Sequence, residues 1–372
     1  MNIPFYRSDI GKEEERAIAD VLNGNVYAAA EDLEDNFAAY VNASYALATS
    51  HGTSALHLAM LALDLKRGDK VLCSVNAYPA VPEVVRHFDA EPVFIDINED
   101  TFSIDLNKLE AYLQDNATKK LKAVIVSHIA GQPIDLERLY NIAKIYDVKI
   151  VEDASDALGS TFNGDKIGST GAHITCFSFA THLKKSVCSG GMMVTESEEI
   201  FERAKLLRNH AMVSESDGFE YIYDVVDIGS KYTMSDLDAA YISQKLKKQD
   251  RCIERQKEIA AIYLNELKGA KHITLPKIGE NHSCSLFIIK IDKNRDSFAR
   301  ELDEKGIETG LHYIPLHLLS YYKSKYSLRV NDFPVALRTF QQVLSLPLYA
   351  SLSDKEIKYI CNTVLEVNKS RV

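Results

Sequence analysis

Three short stretches carry residue types and spacings suited to chemistry. The first is Ser50-His51-Gly52-Thr53-Ser54-Ala55, running straight into the apolar-periodic Leu56-His57-Leu58-Ala59-Met60. A helix that opens on Gly-Thr-Ser presents free backbone N–H groups and two hydroxyls at its positive end, which makes an anion site. The same residues also read as an ordinary helix cap, with Thr53 or Ser54 starting the helix. The second stretch is Val151-Glu152-Asp153-Ala154-Ser155-Asp156. A carboxylate at the C-terminal end of a buried strand faces the crevice where α/β sheets bind ligands. There it can keep a pyridine nitrogen protonated, which turns the ring into an electron sink for carbanion chemistry. The alternative role for such an acid is a helix cap or half of a salt bridge. The third stretch is Cys176-Phe177-Ser178-Phe179-Ala180-Thr181-His182-Leu183-Lys184-Lys185, closed by Gly190-Gly191. A strand ends at Ser178, a polar loop follows, and the paired glycines admit close backbone approach to a ligand.

These stretches need a scaffold, and the chain alternates strand and helix patterns around them. Val71–Val75, Pro92–Ile97, Ala123–Ser127 and Val148–Glu152 read as buried strands, and Ala80–Phe88, Leu106–Leu113 and Asp135–Tyr146 as the helices between them. That alternation predicts an α/β fold with a mostly parallel sheet covered by helices on both faces. Ile174–Phe179 and Gly191–Thr195 add two strands around the polar loop. After about residue 196 the character changes. Glu198–Asn209 and Ser235–Leu264 are long, charged, amphipathic helical stretches. Leu286–Ile291 is a strand, Ser297–Lys305 a helix closed by Gly306, and Ser353–Val367 a last helix entered through Ser353-Asp354-Lys355-Glu356. The reading is a large α/β domain over residues 1–240 and a smaller α+β domain over 241–372.

Composition narrows the function classes. The chain has 372 residues, 46% of them apolar and 26% charged, an ordinary soluble globular balance. Its 43 Lys and Arg against 53 Asp and Glu leave a net charge of −10, which argues against nucleic-acid binding. Neither a signal peptide nor a membrane-spanning stretch is expected. Six cysteines, Cys73, Cys176, Cys188, Cys252, Cys284 and Cys361, form no CxxC pair. We therefore expect reduced thiols, no metal site and a cytoplasmic location.

In this order the motifs resemble the DegT/DnrJ/EryC1/StrS family of sugar aminotransferases, across essentially the whole chain. The matching residues are Gly52-Thr53-Ser54-Ala55, Tyr78 within Asn76-Ala77-Tyr78-Pro79, and His128-Ile129-Ala130-Gly131-Gln132. They continue with Glu152-Asp153-Ala154, Phe177-Ser178-Phe179, Gly190-Gly191 and Arg208-Asn209-His210. His312-Tyr313-Ile314-Pro315-Leu316-His317 and Ser345-Leu346-Pro347 complete the set. The resemblance implies the aspartate-aminotransferase-like architecture, fold type I, with pyridoxal 5'-phosphate or pyridoxamine 5'-phosphate as cofactor. Gly52, Thr53, Ser54 and Ser178 would take the cofactor phosphate, Asp153 the ring nitrogen and Tyr78 the ring face, with Asp156 also in the cofactor site. His312, Tyr313 and His317 would meet the substrate. The implied partners are a nucleotide-linked keto sugar and an amino-acid donor, glutamate, in polysaccharide or glycoconjugate synthesis. A homodimer with shared active sites is implied too.

Two departures bear on the reaction. The family's Schiff-base Lys falls on Leu183, with His182 and Lys184 on either side. Lys184 has the reach to serve in its place and would support transamination. His182 can move a proton but cannot form the covalent link, as in relatives that dehydrate the sugar at C3. A third alternative is that neither residue is catalytic and the chain is a binding subunit. At Gly229-Ser230-Lys231-Tyr232-Thr233-Met234, Lys231 replaces the Asn that in the family reaches the phosphate from the partner subunit, and Thr233 replaces an Arg. Lys231 can bind phosphate as a point charge or lie solvated at an interface. Asp156 stands where Gln or His is usual.

Overall fold

The computed structural model describes residues 1–180, 187–214 and 222–370. The first strands are β1 (Tyr45–Thr49), β2 (Lys70–Ser74), β3 (Glu91–Ile95), β4 (Leu121–Ser127) and β5 (Lys149–Asp153). A small hairpin of β6 (Thr161–Phe162) and β7 (Asp165–Lys166) follows, then β8 (Ile174–Ser178) and β9 (Gly191–Thr195). Seven of these form one sheet in the order β1-β9-β8-β5-β4-β2-β3. The run β3-β2-β4-β5-β8 is parallel, and β9 is antiparallel to both its neighbours.

The helices that cover the sheet are α1 (Lys12–Leu22), α2 (Ala29–Val41), α3 (Gly52–Ala62), α4 (Ala80–Arg86), α5 (Leu106–Asn116), α6 (Leu136–Tyr146), α7 (Glu198–Leu207) and α8 (Asp236–Lys247). Strand side chains alternate in direction, so one strand feeds two cores. Leu72, Val124 and Ile150 point into a layer with Phe37 of α2, Leu139 of α6 and Ile242 of α8. Val71, Cys73, Ile125 and Val151 point the other way, onto Leu58 of α3, Val84 of α4 and Leu207 of α7. The result is the expected three-layer α/β arrangement.

The C-terminal part holds α9 (Gln249–Glu266), β12 (Ile273–Thr274), β13 (Phe287–Ile291), α10 (Arg295–Glu304), α11 (Ser320–Lys325), α12 (Pro334–Gln342), β14 (Val343–Leu346) and α13 (Asp354–Lys369). Strands β12-β13-β14 form an antiparallel sheet. A short antiparallel pair, β10 (Met212–Ser214) and β11 (Tyr223–Val225), lies between α7 and α8 in the chain.

The structure differs from the sequence reading in several places. The stretch Ser235–Leu264 is two helices that meet at Lys248, whose ammonium is held by Glu13 at 2.6 Å and Glu14 at 2.9 Å. Its halves serve different cores: Tyr241, Ile242 and Leu246 pack under the sheet, while Ile259, Ala260 and Tyr263 pack in the C-terminal core. A domain boundary at 240/241 therefore cuts α8, and the chain leaves the sheet core only after it. Leu316, Tyr322 and Ala336 return to that core, and Ile3 joins the C-terminal one. Finally, β1 and β14 escape the sequence pattern, because Tyr45-Ala46-Leu47-Ala48-Thr49 and Val343-Leu344-Ser345-Leu346 carry few β-branched residues. Among the described residues no helix is long and apolar enough to cross a membrane.

Candidate active site

The start of α3 meets the end of β8. Gly52 is buried, and a β-carbon on it would stand 2.6 Å from Ser178 Cβ and 2.9 Å from Ser178 Oγ. Only a glycine lets the Ser178 hydroxyl come so near the helix's free N–H groups. Ser54 is buried with its Oγ 3.1 Å from Ser50 Oγ, and Thr53 is exposed. The first turn carries no acidic residue, so the positive end of the helix is not offset. The paired glycines act differently from expectation. A β-carbon on Gly191 would stand 2.5 Å from His51 O, and one on Gly190 2.7 Å from Ile242 Cδ1. They admit the chain's own loop and helix against β9 rather than a ligand.

Asp153 ends β5 on the neighbouring strand, where its backbone pairs with Cys176 of β8. The side chain is buried, and donors approach both oxygens. Ser127 Oγ donates to Oδ2 at 3.1 Å, while Ser155 donates to Oδ1 from its Oγ at 2.6 Å and its N–H at 3.2 Å. The carboxylate is thereby fixed at the carboxyl end of the parallel sheet. Glu152 points to the other face, fully buried. It accepts from Tyr140 Oη at 2.6 Å and Thr175 Oγ1 at 3.2 Å and lies 3.5 Å from His128 Nε2.

Asp156 lies three residues further on. Its Oδ2 accepts from the Ala130 N–H at 3.1 Å. Burial pushes its carboxyl up to about 6, the charge of Asp153 pushes the same way, and the Ala130 N–H opposes them. Asp156 and Ser178 line one cavity of about 240 Å³, with the N-terminal segment Phe5–Asp9 forming another wall.

Tyr78 lies in the loop after β2, partly exposed, with its ring centroid 6.0 Å from that of Tyr313. Burial raises the Tyr313 phenol, and the charges of Asp156 and Asp153 raise it further. Asn76 fixes that loop by accepting from Tyr313 N at 3.2 Å and donating to Phe102 O at 3.0 Å. His312 sits at the rim, its Nδ1 2.9 Å from Ser345 Oγ and its ring stacked 5.6 Å from Phe5. His317 is not brought to this cluster. It is fully buried, with Nε2 3.1 Å from Val330 O and its ring against Phe333. Its Nδ1 has no hydrogen-bond partner among the described residues.

Lys231 is exposed and donates from Nζ to Asn209 Oδ1 at 2.9 Å within its own chain. The next residue accepts from Ser50 N–H through its carbonyl at 2.7 Å, so this segment runs beside the loop that enters α3. His182 and Lys184 lie outside the described residues, whose nearest members, Ala180 and Val187, line the cavity. Among the described residues no group of three His, Cys, Asp or Glu side chains is placed to hold a metal ion.

Two contributors escaped the sequence reading. Ser127 was legible only as the last residue of a strand, although its position at the same sheet end as Asp153 was a usable signal. The segment Phe5–Asp9 carried no signal, because its role depends on where the C-terminal core lies. The donor set fits an aromatic ring phosphate: an uncompensated helix start beside a serine hydroxyl for the phosphate, an anchored carboxylate for a ring cation, and tyrosine rings alongside.

A family model described as the DegT/DnrJ/EryC1/StrS aminotransferase family matches residues 8–365. The uncharacterized protein MJ1066 of Methanocaldococcus jannaschii is 32% identical, covering 98% of this chain and 97% of its own. The spore coat polysaccharide biosynthesis protein SpsC of Bacillus subtilis is 31% identical, covering 99% and 97%. Among solved structures, the PMP form of Spr1654 from Streptococcus pneumoniae superposes with a TM-score of 0.90 at 28% identity, covering 100% of this chain and 98% of that one. DesV of S. venezuelae does so with a TM-score of 0.87 at 29% identity, covering 97% and 95%.

Proposed function

The chain belongs to the DegT/DnrJ/EryC1/StrS aminotransferase family, and from that premise we propose that it transfers an amino group from glutamate to a nucleotide-linked keto sugar. The fold is that of the fold-type I pyridoxal-phosphate enzymes, and the cofactor is pyridoxal 5'-phosphate or its pyridoxamine form. The observation that carries the reading is the pairing of an anchored Asp153 with a phosphate cradle at Gly52 and Ser178, at adjacent strand ends. SpsC, named for polysaccharide biosynthesis, supports a sugar destined for a surface polymer.

The bound cofactor supplies an electron sink for a carbanion at the substrate. Asp153, held by Ser127 and Ser155, keeps the proton on the ring nitrogen. Gly52, Thr53 and Ser54 bind the phosphate through N–H groups and hydroxyls, and Ser178 adds a hydroxyl. Lys231 adds a point charge near that loop. Tyr78 and Tyr313 would flank the ring and exclude water, and His312 would meet the sugar. Lys184 moves the proton at the reacting carbon. The site works in a homodimer in the cytoplasm. A partner is supported by the exposed apolar stretch, where Tyr223 is 55%, Val225 50%, Val226 54% and Ile228 80% exposed.

A second reading rests on Leu183 at the family's lysine position with His182 beside it. In it His182 moves the proton and the sugar loses its C3 hydroxyl. One experiment separates the two: the purified chain is incubated with cofactor, glutamate and a panel of nucleotide-linked keto sugars that differ in the carbonyl position, and the product is weighed by mass spectrometry. An amine in place of the carbonyl oxygen, with 2-oxoglutarate formed, supports transamination. Loss of the C3 hydroxyl supports dehydration. No change in any sugar overturns both.

A further inference from the structure

Asp153 and Asp156 are neighbouring acids, of which Asp156 lines the cavity, and the two are held differently. Asp153 receives three donated hydrogen bonds, from Ser127 Oγ, Ser155 Oγ and Ser155 N–H. Asp156 receives one, from Ala130 N–H to Oδ2, and Oδ1 accepts no hydrogen bond among the described residues. It lines the same cavity as Ser178 of the phosphate cradle. The titratable groups that act on it from the surrounding elements are Asp153 at the end of β5 and Tyr313 in the segment after α10. Neither brings a positive charge. The same cavity is also lined by Asp9 and by two cations that are held elsewhere, Arg7 by Glu356 at 3.0 Å and Lys245 by the Asp9 carbonyl at 2.9 Å. The ligand that enters this cleft brings a phosphate and so adds negative charge to a site already holding two carboxyls. In a desolvated cleft that many anions cannot all remain charged. Asp153 is matched by the ring cation, which leaves Asp156 as the acid that must be neutralised.

We propose that Asp156 takes up a proton from solvent when the cofactor binds and donates it as a hydrogen bond from Oδ1 to an anionic oxygen of the cofactor ring. The inference rests on the cofactor reading above and deepens it. It makes Asp156 a binding residue whose strength depends on pH, where a neutral amide would be indifferent. The balance is simple: one solvent proton is bound per cofactor, and no covalent bond changes. Burial and the neighbouring Asp153 already raise the carboxyl to about 6, which makes the uptake inexpensive near neutral pH.

The test is calorimetric titration of pyridoxamine 5'-phosphate into the purified chain at pH 7.5, in buffers of different ionisation enthalpy, to count protons taken up. The wild type is compared with Asp156→Asn, which keeps the acceptor for Ala130 N–H. The wild type is expected to take up about one proton more than the variant, and its Kd to rise by up to about tenfold per pH unit above neutrality relative to the variant. Equal proton uptake and parallel pH profiles overturn the proposal while leaving the cofactor reading intact. A wild type that binds no pyridoxamine 5'-phosphate at any pH overturns both. Infrared difference spectroscopy on the wild type alone provides a measurement free of any folding defect in the variant. A protonated-carboxyl band should appear on cofactor addition, and its absence overturns the proposal.

Discussion

Ser178 stands directly over Gly52, so close that a β-carbon on the glycine would lie 2.6 Å from Ser178 Cβ and 3.1 Å from Ser178 Cα. The end of one strand and the start of one helix are thus locked together at the phosphate cradle. Gly52→Ala must push the β8 end away from the helix. We expect a loss of about 1–3 kcal/mol in stability, from overpacking. We also expect weaker cofactor retention, read by dialysis followed by absorbance.

Ser127 is the only side chain on β4 that reaches an oxygen of Asp153 among the described residues. Removing its hydroxyl leaves a buried carboxylate with one partner fewer. Ser127→Ala should lower kcat by about tenfold, corresponding to about 1–2 kcal/mol. Asp153→Asn, which removes the charge itself, should lower it by about 10²-fold or more. Steady-state kinetics on the two variants would check the ranking, and equal losses would refute the positioning role of Ser127.

The raised carboxyl of Asp156 also makes a stability prediction for the cofactor-free chain. Its acidity moves from the ordinary 3.8 to about 6 on folding, so the folded state binds the proton more tightly. That contribution is present at low pH and is lost as pH rises through about 6. Asp156→Asn should therefore be more stable than the wild type at pH 7.5, by about 1–3 kcal/mol, with the gap closing towards pH 4. Urea denaturation across that range gives the comparison.

The N-terminal segment is held on the C-terminal core. Ile3 pairs with Ile307, and Arg7 reaches Glu356 at 3.0 Å and Ser351 O at 3.1 Å. The Arg7 hydrogen bond holds the Glu356 carboxyl down to about 2, with the Ser353 N–H and hydroxyl adding to it. That stabilisation is present above the ordinary 4.5 and is lost as pH falls towards 2. Glu356→Gln should cost about 1 kcal/mol at pH 7, since Arg7 is partly solvated, and progressively less below pH 4. Thermal melts at the two pH values measure this.

His317 shares a motif with His312 and Tyr313 but not their place. It is packed against Phe333 with its Nε2 on the Val330 carbonyl. His317→Asn should lower Tm and leave KM for the sugar unchanged, whereas His312→Asn should raise KM. A raised KM in the His317 variant would return that residue to the substrate site.

Much of the architecture was legible because it follows from short-range rules. The β-branched runs around Val71, Val124 and Ile150 had to be buried strands, and the intervening 3.6-residue periods had to be helices. Asp153 and Gly52-Thr53-Ser54 were legible as site candidates because each sits where an element begins or ends, and such ends leave free polar groups. The break at Lys248 was not legible. Helical periodicity runs through it, and only Glu13 and Glu14, more than two hundred residues away in sequence, hold the ammonium there.

The sequence by itself determined the class of fold, the order of the motifs and the residue types available to the site. Those depend on local pattern and on composition, which the chain carries residue by residue. The tertiary structure decided which of those residues meet. It put Ser178 on Gly52, and Ser127 under Asp153. It set Tyr313 beside Tyr78, buried His317 elsewhere, and turned Gly190 onto Ile242 and Gly191 onto the His51 carbonyl. The physical reason is that packing of the sheet against two helix layers, not spacing along the chain, sets the distances between residues far apart in sequence.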